Sequence, residues 1–185
     1  MVLIGVTGGT GTGKSTAVKL FGWPTISSDE VYHGLLETDE EMRSEIYEAF
    51  GTLERSELAT LVFKDSKKRE LLNSITHPYI IRAIWVELEK FAEAGADAVV
   101  LDAPLLIESG MHKKCNKIIA VVASKHHRIA RLLARDGITQ KQAESRIRQQ
   151  PKDDFYISEA DLVIRNNGDL EDLKEKCERL LQYLP

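Results

Sequence analysis

One glycine-rich segment limits what this chain can fold into more than any other feature. Residues 8–15 read Gly-Gly-Thr-Gly-Thr-Gly-Lys-Ser, which fits the phosphate-loop (P-loop) pattern G-x-x-x-x-G-K-[ST] at every position. Glycines let backbone N–H groups approach phosphate oxygens, a lysine reaches the β- and γ-phosphates, and a serine hydroxyl binds Mg²⁺. The segment therefore predicts a site for ATP and Mg²⁺. The predicted ATP-binding residues of the loop are Gly8, Gly9, Gly11, Thr12, Gly13, Lys14, Ser15 and Thr16, with Lys14 also catalytic and Ser15 the Mg²⁺ ligand.

The sequence around this loop predicts an α/β fold. Short apolar runs rich in Val and Ile occupy residues 2–6, 98–101, 118–123 and 162–164, without alternating polar residues. Such runs are typical of parallel strands that are covered on both faces. Helical patterns separate them, and a weaker run at 25–27 adds a fifth strand. We predict a P-loop NTPase core with a five-stranded parallel sheet, a helical substrate-binding insertion and a helical lid.

The chain is expected to divide into three parts. Between residues 30 and 95 no strand pattern occurs, and the helical periodicity breaks near Gly51, Asp65 and His77-Pro78. This stretch is long for a connection between strands, which suggests a part of the chain that grips a substrate. The predicted parts are a P-loop core at 1–29, 96–125 and 156–185, a substrate-binding insertion at 30–95, and a lid hairpin at 126–155.

The predicted lid is a basic pair of helices. The first helix ends at Gly137, and the second begins at Thr139 with a glutamine three residues on, which is a capping-box pattern. Residues 126–152 contain seven Lys or Arg and two Asp or Glu, although the whole chain has a net charge of −4. Positive charge that closes over ATP would stabilise a transferring phosphoryl group.

We expect two different roles for the arginines of this hairpin. Arg128, Arg131 and Arg135 are spaced three and four residues apart and share one helical face. For Arg128 and Arg131 the favoured interpretation is a solvated surface. Arg135 stands beside the turn and is expected to bind ATP and act in catalysis, and Arg146, which opposes it on the second helix, is expected to bind the substrate.

Two aspartates are candidates for the chemistry. Asp29 follows the weak strand, and ligands bind at the carboxyl ends of strands in α/β sheets. Its carboxylate is equally suited to take the proton of an attacking hydroxyl or to cap the helix that begins near Glu30. Asp102 ends the strand at 98–101 and is either a Mg²⁺ ligand through water or an acid of a solvated loop.

Charge, cysteines and hydropathy exclude several other classes. The negative net charge gives no support for nucleic-acid binding or for a basic membrane anchor. No apolar stretch approaches the roughly 18 residues of a membrane span. Cys115 and Cys177 lie outside any C-x-x-C pattern and are expected to be reduced thiols, so the cytoplasm is the expected location. A GTPase would need an N-K-x-D motif, but two isoleucines follow Asn116-Lys117.

Several segments together carry a family resemblance over nearly the whole chain. They are residues 4–9, Asp29, and residues 53–55, 75–78, 101–108, 131–137, 146–149 and 160–168. In this order and spacing they resemble the dephospho-coenzyme A kinases. The resemblance implies transfer of the ATP γ-phosphate to the ribose 3′-hydroxyl of dephospho-coenzyme A, which gives coenzyme A and ADP in the last step of coenzyme A synthesis.

The resemblance also implies roles for individual residues. Asp29 matches the base and substrate ligand, Arg135 and Arg146 match the lid arginines, and Asn166 matches the adenine side of the ATP site. Arg55 and His77 fall in the part that binds the acceptor.

Two features bear on these assignments. His77-Pro78 fits a helix-entry turn equally well. The family has Asp-x-Asp before the first insertion helix, whereas here Ser27 replaces the first acid.

Two alternatives remain open from the residues. The first is another small-molecule P-loop kinase, acting on a nucleoside monophosphate, shikimate or gluconate. The second is a nucleotide-dependent switch or ATPase whose output is a binding partner.

Overall fold

Five strands of the described chain form a single sheet. The computed structural model describes residues 1–184 and, at position 64, the backbone alone. The strands are β1 (Val2–Thr7), β2 (Thr25–Ser27), β3 (Ala98–Asp102), β4 (Lys117–Val122) and β5 (Leu162–Arg165). Their order is β2-β3-β1-β4-β5, and the β1–β3, β1–β4 and β4–β5 pairs are parallel. The predicted five-stranded parallel sheet, including the weak strand at 25–27, is confirmed.

β1 lies in the middle of this sheet and is covered on both faces. Ile4 and Val6 are fully buried and Leu3 is nearly so, which explains why the strand shows no polar alternation. The register places Val6 opposite Asp102 of β3. The carboxyl ends of β1, β3 and β4 therefore lie at one edge of the sheet, where the P-loop begins.

Helices occupy the chain between and after the strands. They are α1 (Lys14–Phe21), α2 (Ser28–Thr38), α3 (Glu40–Phe50), α4 (Arg55–Lys64), α5 (Ser66–Glu93), α6 (Lys125–Asp136), α7 (Gln140–Arg148), α8 (Asp153–Ile157) and α9 (Leu170–Leu181), and a 3₁₀ turn spans Met111–Lys114. The chain forms two compact units. We call residues 1–25 with the chain from 91 onward the sheet unit, and residues 26–90 the helical unit.

The sheet unit has a core between the sheet and two helices. Ala17 and Phe21 of α1 and Leu173 and Cys177 of α9 pack with the strand residues of β1, β3, β4 and β5. Burying each large apolar side chain stabilises the fold by about 1.5–3 kcal/mol. This core fixes α1, and with it the end of the P-loop.

The helical unit has a separate core. Its buried members are Leu36, Met42, Ile46, Leu58 and Tyr79. The Tyr79 hydroxyl donates to Glu45 at 2.6 Å, and this hydrogen bond is the main reason why the pKa of Tyr79 is raised to about 12. The predicted breaks near Gly51 and Asp65 are confirmed, because Gly51 ends α3 with a left-handed backbone (φ 71°) and Asp65 ends α4.

α5 corrects the third predicted break. The helix continues for 28 residues through His77 and Pro78, so neither a break nor a helix-entry turn occurs there. Proline inside a helix costs roughly 3 kcal/mol because it lacks an N–H and crowds the preceding turn. Burial of Thr76 and Tyr79 on either side stabilises the helix through this position. No helix in the described part of the chain combines the length and apolar character needed to cross a membrane.

Candidate active site

The P-loop joins β1 to α1 at the carboxyl edge of the sheet. Gly13 has a left-handed backbone (φ 92°) and is the N-cap of α1, so the helix N-terminus opens onto the loop. Gly11 is also left-handed (φ 75°), and a β-carbon there would lie 2.8 Å from the backbone oxygen of Arg128. Both positions therefore require glycine. A glycine loop at a helix N-terminus is an arrangement that binds phosphate.

An ion pair lies at the end of the loop. Lys14, the first residue of α1, pairs with Asp102 at the end of β3. The two side chains are 12% and 15% exposed, so Asp102 does not belong to a solvated loop. Ser15 follows on α1 with an exposed side chain. A hydroxyl and a carboxylate are the hard oxygen ligands that Mg²⁺ prefers, so the residues present fit this ion.

Arg128 holds the tip of the P-loop. The residue is 4% exposed, and its Nε donates to the carbonyl oxygen of Thr10 at 2.8 Å. One Nη donates to Gln150 Oε1 at 2.9 Å, and the same oxygen accepts the N–H of Thr10 at 2.7 Å. Burial lowers the pKa of Arg128, against the opposite effect of the Asp153 charge. The expectation of a solvated Arg128 is therefore wrong.

Arg131 and Asn166 hold the following part of the loop. Asn166 is 3% exposed, and its Nδ2 donates to the carbonyl oxygen of Thr12 at 2.8 Å. Arg131 donates to the same carbonyl at 3.3 Å and to the backbone oxygen of Asn166 at 3.0 Å. The expectation of a solvated Arg131 is also wrong. Asn166 lies against the P-loop at Gly13, and its predicted contact with ATP stays a prediction.

The two predicted lid arginines meet on one carboxylate. α6 ends at Gly137, which has φ 61°, and α7 begins with the predicted capping box. Asp136 accepts from Arg135 Nε at 2.6 Å and from an Nη of Arg146 at 2.7 Å. The hydrogen bond from Arg135 is the main cause of a lowered pKa for Asp136. The Arg135 and Arg146 side chains remain 65% and 45% exposed, so both guanidinium groups are accessible to a ligand.

In the helical unit, Asp29 lies in the first turn of α2 and is exposed. The N-cap of this helix is Ser27, whose hydroxyl accepts the N–H of Glu30 at 3.3 Å. The alternative that Asp29 caps the helix is therefore wrong, and its role in acid–base chemistry stays a prediction. Ser27, which replaces the first acid of the family pattern, has a structural role of its own.

A cavity of about 940 Å³ lies within the helical unit. On its wall, an Nη of Arg55 lies 2.7 Å from Nε2 of His33. The lining combines apolar side chains, among them Leu36, Leu58 and Val62, with charged ones of both signs, which include Arg43 and the acids Glu37 and Glu54. Such a lining suits a ligand that has both a charged and an apolar part.

His77, in contrast, is not one of the described residues that line this cavity. It lies in the interior of α5 and is partly buried, and this burial lowers its pKa. Burial therefore favours the neutral form of this side chain. The structure brings Arg55 to the cavity and does not bring His77 there.

Sequence reasoning missed two residues of these sites. His33 carried a signal, because it lies four residues after Asp29 and so shares a face of α2 with it. Gln150 lies beyond the end of α7 and carried no signal, since its contact with Thr10 joins residues 140 positions apart.

The fold and this loop define a P-loop protein with a parallel α/β sheet. A shikimate kinase from Bacteroides thetaiotaomicron shares the fold with a TM-score of 0.56, at 18% identity over 99% of this chain and 98% of that chain.

More specifically, the chain matches the dephospho-CoA kinase family over residues 2–172, and it belongs to that family. The dephospho-CoA kinase of Corynebacterium glutamicum is 35% identical over 98% of this chain and 96% of its own length. The crystal structure of TT1252 from Thermus thermophilus is similar with a TM-score of 0.82, at 32% identity over 100% of this chain and 98% of that chain. The resemblance found in the sequence is confirmed.

Proposed function

We propose that this protein transfers the γ-phosphate of ATP to the ribose 3′-hydroxyl of dephospho-CoA, giving CoA and ADP. The observation that carries the proposal is the match to dephospho-CoA kinases over residues 2–172. The P-loop with its Lys14–Asp102 pair supports the ATP half of the reaction. The cavity of the helical unit supports the acceptor half.

On the ATP side, the N–H groups of the P-loop and Lys14 bind the phosphates. Lys14 supplies positive charge to the β- and γ-phosphates, and Asp102 orients its ammonium group. Ser15 would hold Mg²⁺, with Asp102 as a second ligand through water, and the ion supplies charge neutralisation on the phosphates. Asn166 is proposed to contact the adenine side while it supports Thr12.

On the acceptor side, Asp29 is proposed to act on the hydroxyl. Its carboxylate orients the 3′-hydroxyl and takes its proton as the oxygen forms a bond to the γ-phosphorus. The bond from that phosphorus to the β–γ bridging oxygen breaks, and ADP leaves.

The cavity of the helical unit is the proposed binding site for the rest of the acceptor. Dephospho-CoA carries phosphates and a long, less polar arm. Arg55 and Arg43 match the phosphates, and Leu36, Leu58 and Val62 match the arm. His77 is proposed to assist from α5 as an uncharged group.

The hairpin of α6 and α7 is the proposed lid. Arg135 and Arg146 would exchange their contacts with Asp136 for phosphate oxygens and so add positive charge during transfer. Cys115 and Cys177 are free thiols, in keeping with the cytoplasm as the proposed location.

A product assay tests the proposal. Purified protein is incubated with Mg-ATP and one acceptor at a time, and products are identified by mass spectrometry. The acceptors are dephospho-CoA, AMP, shikimate and gluconate, and Lys14→Ala is the inactive control. CoA formed from dephospho-CoA, with no product from the other acceptors, is the expected result. Phosphorylation of another acceptor alone would overturn the substrate assignment, and ATP hydrolysis stimulated by a protein would indicate a switch.

A further inference from the structure

The peptide groups of Thr10 are bound on both sides by residues of the lid hairpin and its end. The Thr10 N–H donates to Gln150 Oε1 at 2.7 Å, and the Thr10 carbonyl accepts from Arg128 Nε at 2.8 Å. Arg128 also donates to the same Gln150 oxygen, at 2.9 Å. Three hydrogen bonds thus join these residues in a closed ring, which we call the Thr10 clasp.

The clasp sets the direction of the next N–H group in the P-loop. A trans peptide is planar, so the N–H of residue 11 points away from the carbonyl of residue 10. Because Arg128 binds the Thr10 carbonyl, the Gly11 N–H is turned to the opposite side of the loop. P-loop N–H groups bind phosphate only when they face it together.

Burying the charge of Arg128 costs more free energy than a contact that only supports the fold would require. Its guanidinium group is almost fully buried, and a buried charge is unfavourable unless it is paired. Asp153 provides that pairing, with its carboxylate 3.4 Å from Arg128. The planar guanidinium can bind Thr10 and Gln150 at the same time, which a lysine ammonium cannot do with the same geometry.

We propose that Arg128 and Gln150 are positioning residues for the nucleotide, which hold Thr10 so that the Gly11 N–H faces the phosphates. Through them the end of the lid hairpin is tied to the tip of the P-loop. The inference rests on the ATP-binding half of the proposed function and not on the identity of the acceptor.

Binding of ADP and of adenosine, measured by calorimetry without any acceptor, tests the clasp. Arg128→Met and Gln150→Leu each remove part of the ring. We expect ADP affinity to fall by at least about tenfold in Arg128→Met, the scale of a hydrogen bond to a charged group, and by less in Gln150→Leu. Adenosine affinity should not change, because adenosine has no phosphate for the loop to bind.

Further variants separate positioning from charge. Arg128→Lys keeps the charge without the two-pronged geometry and should recover only part of the ADP affinity. Gln150→Glu keeps an oxygen that accepts both hydrogen bonds and should bind ADP better than Gln150→Leu. In the double variant Arg128→Met/Gln150→Leu the losses should not add, because both residues hold one peptide. Lys125→Met, an exposed cation on the same helix, is the matched control.

Two outcomes would overturn the clasp. One is unchanged ADP affinity in both single variants, and the other is an equal loss for ADP and adenosine, which would indicate general damage to the fold. If Arg128→Met does not fold, Gln150→Leu still tests the proposal, because Gln150 is only partly buried and its replacement should leave the protein folded. Failure of the dephospho-CoA assay would leave this test intact, because it uses no acceptor.

Discussion

The two units of the molecule hold their functional residues in different ways. In the sheet unit, Lys14 is 12% exposed and ion-paired, and Arg128 and Asn166 bind carbonyl groups of the P-loop. In the helical unit, Asp29 and Arg55 are exposed. The difference teaches that the residues of the proposed phosphate site are held by contacts within the protein, whereas those of the proposed acceptor site are exposed to solvent. Preorganised charges contribute most to transition-state stabilisation, so the largest effects are expected in the sheet unit.

Removing the charge of Lys14 should have the largest effect. Lys14→Met leaves Asp102 without its cation and removes positive charge from the transferring phosphate. We expect kcat to fall by at least about 10³-fold, because loss of one preorganised group costs about 10²–10³-fold and the unpaired carboxylate repels the phosphates. Steady-state kinetics with Mg-ATP and dephospho-CoA measure this. Lys19→Met, an exposed lysine on α1, should retain activity, and an equal loss in both variants would contradict the assignment.

Removing the charge of Asp29 should have the next largest effect, and a different kinetic pattern. Asp29→Asn keeps the shape but cannot take a proton, so kcat should fall by about 10²-fold or more. The KM for ATP should change little, because the carboxylate acts on the acceptor. Glu30→Gln changes the neighbouring exposed acid of the same helical turn and is the control. Turnover of Asp29→Asn at the wild-type rate would show that Asp29 is not the base.

Removing the charge of Arg55 should have a smaller effect, on binding of the acceptor. Arg55→Gln removes a cation from the wall of the cavity and its contact with His33. We expect the KM for dephospho-CoA to rise by about tenfold, the scale of one charge-assisted hydrogen bond, with no change in ATP affinity. Arg69→Gln, an exposed arginine on α5, is the control in the same unit. An equal change in the affinity for ATP and for the acceptor would contradict the assignment of Arg55 to the acceptor site.

The sequence predicted the sheet and the loop because their signals are local. Runs of Val and Ile without polar alternation are typical of strands that are covered on both faces, as β1 is. The P-loop pattern names Gly8 and Gly13, and both have positive φ angles, whereas Gly11 stands at a variable position of the pattern and its left-handed angle is seen only in the structure.

The misjudged residues depend on contacts that no local pattern contains. An arginine every three or four residues describes a solvated stripe and a buried one equally well. Arg128 is buried because α6 follows β4, and β4 lies beside β1, which carries the P-loop. Likewise, Pro78 predicts the end of a helix, and the burial of Thr76 and Tyr79 that keeps α5 continuous is a tertiary effect.

The smallest expected effect concerns His77, a partly buried group in the helical unit. Burial lowers its pKa below the ordinary value of 6.5, so the unfolded chain binds this proton more readily than the folded one. The contribution of neutral His77 to stability is therefore complete above pH 6.5 and is lost as the pH falls toward the pKa of the folded protein. One linked proton changes the free energy of unfolding by at most about 1.4 kcal/mol per pH unit.

Urea denaturation at pH 7.5 and 5.5 (conditions at about the limits of this window) would measure the effect in the wild type and in His77→Asn. The wild type should lose more stability on acidification than the variant does. Burial raises the pKa of Glu108, which acts in the opposite direction, but this contribution is the same in both proteins and cancels in the difference. Equal losses in the two proteins would show that His77 is protonated as easily in the folded chain as in the unfolded one. The side chain of His77 would then be as accessible to solvent as the exposed side chain of Asp29.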